Sequence, residues 1–221
     1  KRYDLLLRLC LSLNSESCRD LRLRIVILDN GGGLLNSSLW SMAKKRFLFA
    51  LPEVIVPQYN LGVAGSWNFF LKQFGSCIIA NDDVVFGGCA IKSFSSASLA
   101  FPETVIFEGK DPIAGFSTFY VNNPDAWIEM GGFDELFNPA YFEDNDCRYR
   151  LYLAGRPVKK ILLRGWHHDN SSTLAHGDEG YRRMHWCLYQ RNRKYYIHKW
   201  GGLPGREINI EPFNNSSSMR N

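Results

Sequence analysis

Apolar positions in the first part of the chain follow a helical spacing in some segments and an extended spacing in others. Residues 3–14 carry leucines three or four positions apart with polar residues between them, which predicts an amphipathic helix. The apolar run within Arg22–Leu28 ends in a glycine-rich turn, which predicts a buried strand. The same reasoning predicts helices at 37–50 and Ala64–Phe74, and strands at Val54–Val56 and Ser76–Ala80. This alternation of helices and strands is typical of a parallel sheet covered by helices.

The second part of the chain is less regular and more polar. Its pattern predicts helices at 87–100, Pro124–Met130 and Glu143–Ala154 and from Gly177 onward, strands at Val105–Phe107, Gly115–Val121 and Pro157–Leu163, and a polar loop at Gly165–His176. From Gly201 the chain is rich in Gly, Pro, Asn and Ser, which predicts an irregular tail.

Length and composition indicate one globular domain. The chain has 221 residues, of which 45% are hydrophobic and 22% charged, which excludes a disordered or fibrous protein. No apolar run approaches the roughly 20 residues that cross a bilayer, so we expect no transmembrane segment. A net charge of +4 suits anionic small ligands, but without clustered Lys and Arg it does not predict nucleic acid as a partner. None of the six cysteines forms a CxxC pair, so we expect reduced thiols rather than a zinc ribbon.

Acidic residues follow the predicted strand Ser76–Ala80 directly, in the run Asn81-Asp82-Asp83. In an open α/β sheet, ligands bind at the carboxyl ends of the strands. Carboxylates at such a position hold Mg²⁺ or Mn²⁺, which prefer oxygen ligands and bridge to phosphates of a substrate. A capped turn with solvated acids is the structural alternative.

Two further polar clusters occur later in the chain. Glu143, Asp144 and Asp146 open a predicted helix, where the helix dipole alone favours acids, and where one carboxylate could also serve as a general base. His167 and His168 lie between a predicted strand and a loop, and neutral imidazole binds Mn²⁺ readily. A packed or solvated histidine pair is the commoner outcome. The order of the three clusters along the chain is more informative than any one of them.

Five short segments occur in a fixed order within residues 3–176. They are Asp29-Asn-Gly-Gly, Tyr59-Asn-Leu-Gly-Val-Ala-Gly-Ser-Trp-Asn68, Asn81-Asp-Asp-Val, Gly131-Gly-Phe-Asp-Glu-Leu-Phe and Phe142-Glu-Asp-Asn-Asp-Cys-Arg. In this order and spacing they resemble the motifs of a GT-A-fold glycosyltransferase of the family-two type. The resemblance implies a Rossmann-like, mostly parallel central sheet flanked by helices. It also implies a single domain at 1–200, with a nucleotide-binding half at about 1–86, an acceptor half at about 87–200 and an irregular tail at 201–221.

The resemblance implies a reaction and a role for each motif residue. The reaction is transfer of a sugar from a UDP- or GDP-sugar to a hydroxyl of a glycan or glycoprotein acceptor. Attack assisted by Asp144 as base would invert the anomeric carbon, but no sequence feature distinguishes inversion from retention. The implied roles are nucleotide-sugar binding by Asp29, Asn60, Gly62, Asn68 and Asp82, binding of Mn²⁺ or Mg²⁺ by Asp83 with His168 or its neighbour His167, and general-base catalysis by Asp144 with Glu143 as the second choice.

The chain departs from the family pattern at three places. Asn81 stands where the first acid of the DxD motif is usual, and Trp67 stands where the family often has Arg. The family also opens with a strand and a short polar turn, whereas this chain begins at what resembles the following helix. We therefore expect the first strand to lie upstream of Lys1, with its place in the sheet beside Arg22–Leu28.

Two other functions fit parts of the sequence. A metal-dependent nucleotidyltransferase also combines an α/β sheet with acids at a strand end, but no lysine follows Gly31–Gly33 before Lys44. A non-catalytic carbohydrate-binding module could use exposed aromatic rings, and the candidates are Trp127, Trp166, Trp186 and Trp200. For the glycosyltransferase we expect a soluble cytoplasmic enzyme of bacterial or viral origin.

Overall fold

The computed structural model describes residues 2–14, 16–103, 106–109, 116–156, 158–163, 165–168 and 177–214. They form a mixed α/β domain. Its helices are α1 (Tyr3–Leu13), α2 (Ser38–Lys44), α3 (Gly62–Phe74), α4 (Gly88–Ala100), α5 (Pro124–Glu129), α6 (Glu143–Leu153) and α7 (Glu179–Trp200), with 3₁₀ turns at Glu16–Leu21 and Glu135–Phe137. Its strands are β1 (Val26–Leu28), β2 (Glu53–Ile55), β3 (Ile78–Ala80), β4 (Val84–Val85), β5 (Ile106–Gly109), β6 (Thr118–Val121), β7 (Lys159–Ile161) and β8 (His167–His168). None of the described helices is both long and apolar enough to span a membrane.

The strands form three small sheets. β1 pairs in parallel with β2, and β4 pairs antiparallel with β8. The four-stranded sheet has the order β3-β6-β5-β7, in which the β5–β7 pairing is parallel and both pairings of β6 are antiparallel. The expectation of a mostly parallel sheet is therefore wrong for the described strands, three of whose five pairings are antiparallel. Hydrophobic spacing identifies a strand, but it carries no information about the direction in which a distant strand will pair.

The edge of β1 opposite β2 has no strand partner within the described ranges, and neither has the edge of β3 opposite β6. The expectation that β3 shares a sheet with β1 and β2 is not met, because β3 pairs only with β6. The expected strand beside β1 lies outside the described residues and stays a prediction.

Helix α2 is shorter than the predicted helix at 37–50 because the chain after Lys44 is held in another conformation. The hydroxyl of Ser37 caps the start of α2 by accepting a hydrogen bond from the Trp40 N–H at 3.1 Å. Further along, the buried Asn14 side chain accepts hydrogen bonds from the N–H groups of Leu48 and Phe49, at 2.6 and 2.7 Å. A loop that satisfies its backbone on a side chain has no need to continue the helix.

One hydrophobic cluster joins the two halves of the chain. Trp67 of α3 lies at its centre, with ring centroids 5.1 Å from Phe119 and 4.8 Å from Phe133. All three side chains are buried, and Trp127 and Leu151 of the second half belong to the same cluster. Trp67 is therefore a core residue.

The buried Asn68 fastens α3 to the turn that contains Gly132. Its amide donates to the Phe133 carbonyl and to the Glu135 carboxylate, both at 2.8 Å, and its carbonyl accepts from the Phe133 N–H at 2.8 Å. Gly132 has φ of +60°, and a Cβ there would lie 2.7 Å from the Asn68 carbonyl oxygen. Close approach of backbone to side chain therefore requires glycine at this position.

We predict that Gly132→Ala destabilises the fold much more than Gly155→Ala. Both glycines have positive φ, but a Cβ on Gly155 meets no atom within 4 Å. Both variants pay the cost of about 1–2 kcal/mol for a left-handed residue, and only Gly132→Ala also disrupts the Asn68 bonds. Urea unfolding should show Gly132→Ala weaker by at least about 1 kcal/mol more than Gly155→Ala. Equal losses would mean that the Asn68 contact does not fix this turn.

Candidate functional site

Asp83 and His168 come together because β4 pairs with β8. In this antiparallel pair Val84 lies opposite His168, so Asp83 is one position beyond the register and adjacent to the imidazole. The Asp83 Oδ1 atom is 3.2 Å from the His168 Nε2 atom. Asp83 is buried, and apart from this ion-pair contact its Oδ1 atom has no hydrogen bond from any described group. His167, the other half of the predicted pair, is exposed.

Asp82 has a larger exposed fraction than its neighbour Asp83, although protein groups surround its carboxyl. Removal of water from around its carboxyl and the charge of Asp83 nevertheless raise the pKa of Asp82. Arg2 opposes this effect and Asp4 adds to it, so the start of α1 lies close to the acid pair. The N-terminus of the described chain and the end of β3 therefore share one edge of the molecule.

Glu143 and Asp144 form the first turn of α6. Glu143 is buried, and its Oε2 atom has no hydrogen-bond partner among the described residues. Burial, together with the charge of Asp144, raises the pKa of Glu143 to about 8. Burial also raises the pKa of the half-buried Asp144, although the charge of Arg148 opposes that rise. Two neighbouring carboxyls whose pKa values are both raised are an arrangement suited to general acid–base chemistry.

The backbone that leads into α6 is held in an uncommon conformation. Tyr141 and Phe142 have φ values of +82° and +74°, in the left-handed region that aromatic residues rarely adopt. The buried Asn192 of α7 supports this turn by donating to the carbonyls of Phe137 and Ala140, both at 2.7 Å. Backbone strain of this kind is concentrated at functional sites, where the surrounding structure must enforce it.

Three side chains that the sequence analysis did not select lie beside these acids. The Tyr141 hydroxyl is 2.8 Å from His185 Nδ1, and the ring of Tyr181 is 4.2 Å from that of His185. Burial raises the pKa of Tyr181, and the charge of Asp82 raises it further. The pKa of Tyr141 is raised mainly by burial, then by Tyr181 and by the charge of Glu143. α7 therefore connects the acid pair at β3 with the acid pair at α6.

Three of the predicted nucleotide-binding residues make local backbone contacts. The buried Asp29 carboxylate accepts from the N–H groups of Gly31 and Leu34, at 3.1 and 2.7 Å, and so closes the turn after β1. The Asn60 side chain accepts from the Gly62 N–H at 2.8 Å. Gly62 has φ of +67°, and a Cβ there would lie 2.9 Å from the Pro139 carbonyl oxygen. These contacts explain the residue types without a ligand, so nucleotide binding by these residues stays a prediction.

Asn68, the fourth predicted nucleotide ligand, uses its amide in the turn described above and lies away from the surface. Asn30, which follows Asp29, was not selected from the sequence. Its side chain donates to the Ser66 hydroxyl at 2.8 Å and accepts from the Leu61 N–H at 3.1 Å, which joins the turn after β1 to the start of α3. The glycine-rich turn and the start of α3 thus form one connected edge.

Ser117 is a further candidate that no sequence motif indicated. Its carbonyl accepts from the Asn81 N–H at 2.9 Å, which places it next to the acid pair. Phe116, the preceding residue, packs against the Arg148 guanidinium at 4.9 Å, one turn along α6 from Asp144. The Ser117 hydroxyl is buried and has no hydrogen-bond partner within the described chain. Ser117 therefore lies between the two groups of carboxylates.

The residues at β4 and β8 fit a divalent cation in part. Asp83 supplies a buried oxygen that has no hydrogen bond from the described residues, and His168 supplies an imidazole nitrogen 3.2 Å from it. Within the described ranges no group of three or more His, Cys, Asp or Glu side chains converges on one point. A cation bound here would complete its coordination with water and with phosphate oxygens of a substrate, as Mg²⁺ commonly does.

We predict that Glu143→Gln stabilises the protein above neutral pH. The folded-state pKa of about 8 lies above the ordinary value of 4.5, so wild-type stability is fully present below about pH 4.5 and is lost as pH rises through 8. Glutamine keeps the shape and has no charge to bury. The melting temperature of the variant should exceed that of wild type by roughly 5 °C or more at pH 8.5, and by much less at pH 5. Glu129→Gln, at an exposed position, is the control and should shift neither curve.

Comparison with known proteins adds no family to this geometry: no protein-family model matches the chain, and no curated protein matches it. The case for a function is therefore carried by the Asp83–His168 pair, the first turn of α6 and the motif resemblance.

Proposed function

We propose that the chain is a metal-dependent glycosyltransferase of the GT-A type. It transfers a sugar from a nucleoside-diphosphate sugar to a hydroxyl of a glycan or glycoprotein acceptor. The observation that carries the proposal is the Asp83–His168 pair. These residues lie far apart in sequence and were selected for one role. His168 Nε2 is 3.2 Å from Asp83 Oδ1, a buried oxygen with no hydrogen bond from the described residues.

The strand arrangement is compatible with a GT-A sheet of mixed direction. Asp29 directly follows β1 and Asn81 directly follows β3, so both predicted ligand-binding turns follow the carboxyl end of a strand. β1 and β3 each have an edge without a described strand partner. One further strand between these two edges would join β2 and β1 to the four-stranded sheet, and this continuous sheet is part of the proposal.

Asp83 and His168 would hold Mn²⁺ or Mg²⁺. When bound there, the cation supplies Lewis-acid neutralisation of the charge that develops on the leaving diphosphate. Asp82, adjacent and exposed, is placed to contact the ribose or the sugar of the donor. The turn after β1, with Asp29 at its start, is the proposed contact for the nucleotide.

Asp144 is the proposed base, and Glu143 is its partner. Because Asp144 is half-buried and faces the cation Arg148, it is the more accessible of the two and the more readily ionised. Glu143, whose pKa is raised to about 8, keeps its proton at neutral pH. Asp144 accepts the proton of the acceptor hydroxyl as that oxygen attacks the anomeric carbon. Attack on the face opposite the leaving diphosphate inverts the configuration.

Incubation with labelled nucleotides tests this proposal against the nucleotidyltransferase alternative. The chain should release nucleoside diphosphate from a UDP- or GDP-sugar in the presence of Mn²⁺. It should release no pyrophosphate from nucleoside triphosphates under the same conditions. Pyrophosphate release without turnover of any nucleotide sugar would favour the alternative.

We predict that Asp83→Asn and His168→Gln each weaken Mn²⁺ binding at least tenfold. Each substitution removes one of two adjacent ligands and keeps the side-chain volume. Titration calorimetry or the electron paramagnetic resonance signal of free Mn²⁺ measures the affinity without any substrate. Asp82→Asn is the matched control and should change the affinity by less than about threefold. Loss of binding in Asp82→Asn alone would move the metal ligand one residue back.

We predict that Asp144→Asn lowers kcat by roughly 10²–10⁴-fold with nearly constant donor affinity. A positioned general base contributes about this factor, and asparagine keeps the shape while removing the basicity. Glu143→Gln should lower kcat by a smaller factor, because Glu143 is protonated in the wild type near neutral pH. Steady-state kinetics of both variants with one donor decide the assignment. If the two effects are reversed, Glu143 is the base; if neither variant is slower, the acids only stabilise the helix.

A further inference from the structure

We propose that an acceptor oligosaccharide binds along the first half of α7, on an aromatic strip formed by Tyr141, Tyr181, His185, Trp186 and Tyr189. The inference rests on the proposed function and deepens it. It specifies the acceptor as a chain of sugar units rather than a single sugar or a small alcohol.

The rings of the strip are in continuous contact. Tyr181 and His185 are 4.2 Å apart between ring centroids, and His185 also contacts Tyr141 at 5.9 Å. Tyr141 contacts Tyr189 at 5.6 Å, and Tyr189 is stacked with Trp186 at 5.8 Å and an interplanar angle of 17°. Four of the five residues belong to α7 at positions one to two turns apart, and Tyr141 enters from the turn before α6. The strip is therefore a structural unit and not a set of isolated rings.

Exposure distinguishes this strip from the aromatic core. Trp127 and Trp200 are completely buried, whereas Trp186 is 62% exposed. An exposed tryptophan stacked on a tyrosine keeps a large apolar face in water, which is characteristic of binding surfaces. Of the four tryptophans that the sequence suggested for sugar stacking, Trp186 is the one whose ring lies mainly at the surface.

The strip is continuous with the proposed reaction centre. Tyr141 lies two residues before Glu143. Its pKa is raised by burial, then by Tyr181 and by the charge of Glu143. At the other end, Tyr181 lies close to Asp82. Burial raises the pKa of Tyr181, and the charge of Asp82 raises it further. A ligand on the strip would thus have one end between Asp82, on the donor side, and Glu143 and Asp144, on the side of the proposed base.

The chemistry of the strip suits a carbohydrate. Pyranose rings present C–H groups on their faces and hydroxyls at their edges, so they require flat apolar surfaces bordered by hydrogen-bonding groups. Tyrosine and histidine combine an aromatic face with a polar edge. Burial lowers the pKa of His185, so its ring is neutral near pH 7, with one nitrogen donating and the other accepting. Tyr141 occupies Nδ1, which assigns Nε2 to a sugar hydroxyl.

The length of the strip sets the size of the ligand. Tyr181 and Tyr189 are separated by eight residues of helix, which corresponds to about 12 Å along the axis. This distance exceeds the width of one pyranose ring. A monosaccharide would therefore contact only part of the strip, and two or more linked sugars would contact its full length.

A glycan array that carries mono- to hexasaccharides tests the proposal in the absence of nucleotide sugar. The wild-type chain should bind at least one oligosaccharide and bind it more strongly than its component monosaccharides. Trp186→Ala and Tyr181→Ala should each reduce that binding at least tenfold, and Trp186→Phe, which retains a flat ring, should restore most of it. Met42→Ala, at a 66% exposed apolar position on α2, is the control and should bind like wild type.

Absence of binding to every oligosaccharide would overturn the proposal, and so would equal binding of monosaccharides or an equal loss in Met42→Ala. Release of nucleoside diphosphate from UDP- and GDP-sugars, measured on the same preparations, separates this result from the proposed function. A chain that hydrolyses a donor but binds no oligosaccharide contradicts the aromatic strip alone. A chain that binds an oligosaccharide through Trp186 but turns over no nucleotide sugar contradicts the glycosyltransferase, and leaves the strip as a lectin-type site.

Discussion

The buried Asp146 determines how helices α6 and α7 of this chain are packed. Asp146 is fully buried in α6, and its carboxylate accepts hydrogen bonds from Arg150 at 2.9 Å and from the Trp200 indole at 2.8 Å, and pairs with Lys199 at 2.7 Å. Lys199 also pairs with Asp134 at 2.6 Å. Removing one member of such a group would leave an uncompensated charge in the interior, which costs several kcal/mol. α6 and the end of α7 are therefore fixed in one relative position.

The orientation of the proposed catalytic acids follows from this packing. Because Asp146 faces α7, the orientation of α6 about its own axis is fixed. This orientation determines the directions in which Glu143 and Asp144 project from the preceding turn. Asn192 of α7 fixes the backbone before that turn by bonding to the carbonyls of Phe137 and Ala140. The same helix carries His185 two turns earlier. One long helix thus holds the acids in place with its second half and presents aromatic rings beside them with its first half.

Local patterns in the sequence were sufficient to locate most elements, because helix and strand periodicity is a property of neighbouring residues. The helices α1, α3, α4 and α6 lie within a few residues of their predicted positions. Strand direction could not be obtained in this way, and the antiparallel pairing of β3 with β6 contradicted the expectation. Pairing depends on which distant segments come together, and this is decided by burial over the whole chain.

The same limit applies to the candidate site, and Asn68 and Asp83 illustrate its two sides. Both were selected from motifs, and both are buried polar residues. Every polar atom of the Asn68 amide has a hydrogen-bond partner within the fold, so contacts within the protein account for this residue without a ligand. Asp83 Oδ1 has an ion-pair contact with His168 but no hydrogen bond in the described chain, although a buried acceptor without a hydrogen bond costs about 1–3 kcal/mol. The sequence gives only the type of each residue. The structure also shows which buried polar groups have hydrogen-bond partners in the protein and which have an atom available for a ligand. Among the described residues that criterion selects Asp83, Glu143 and Ser117, together with Arg2 and Trp127, and the two acids are the ones that the motifs also indicated.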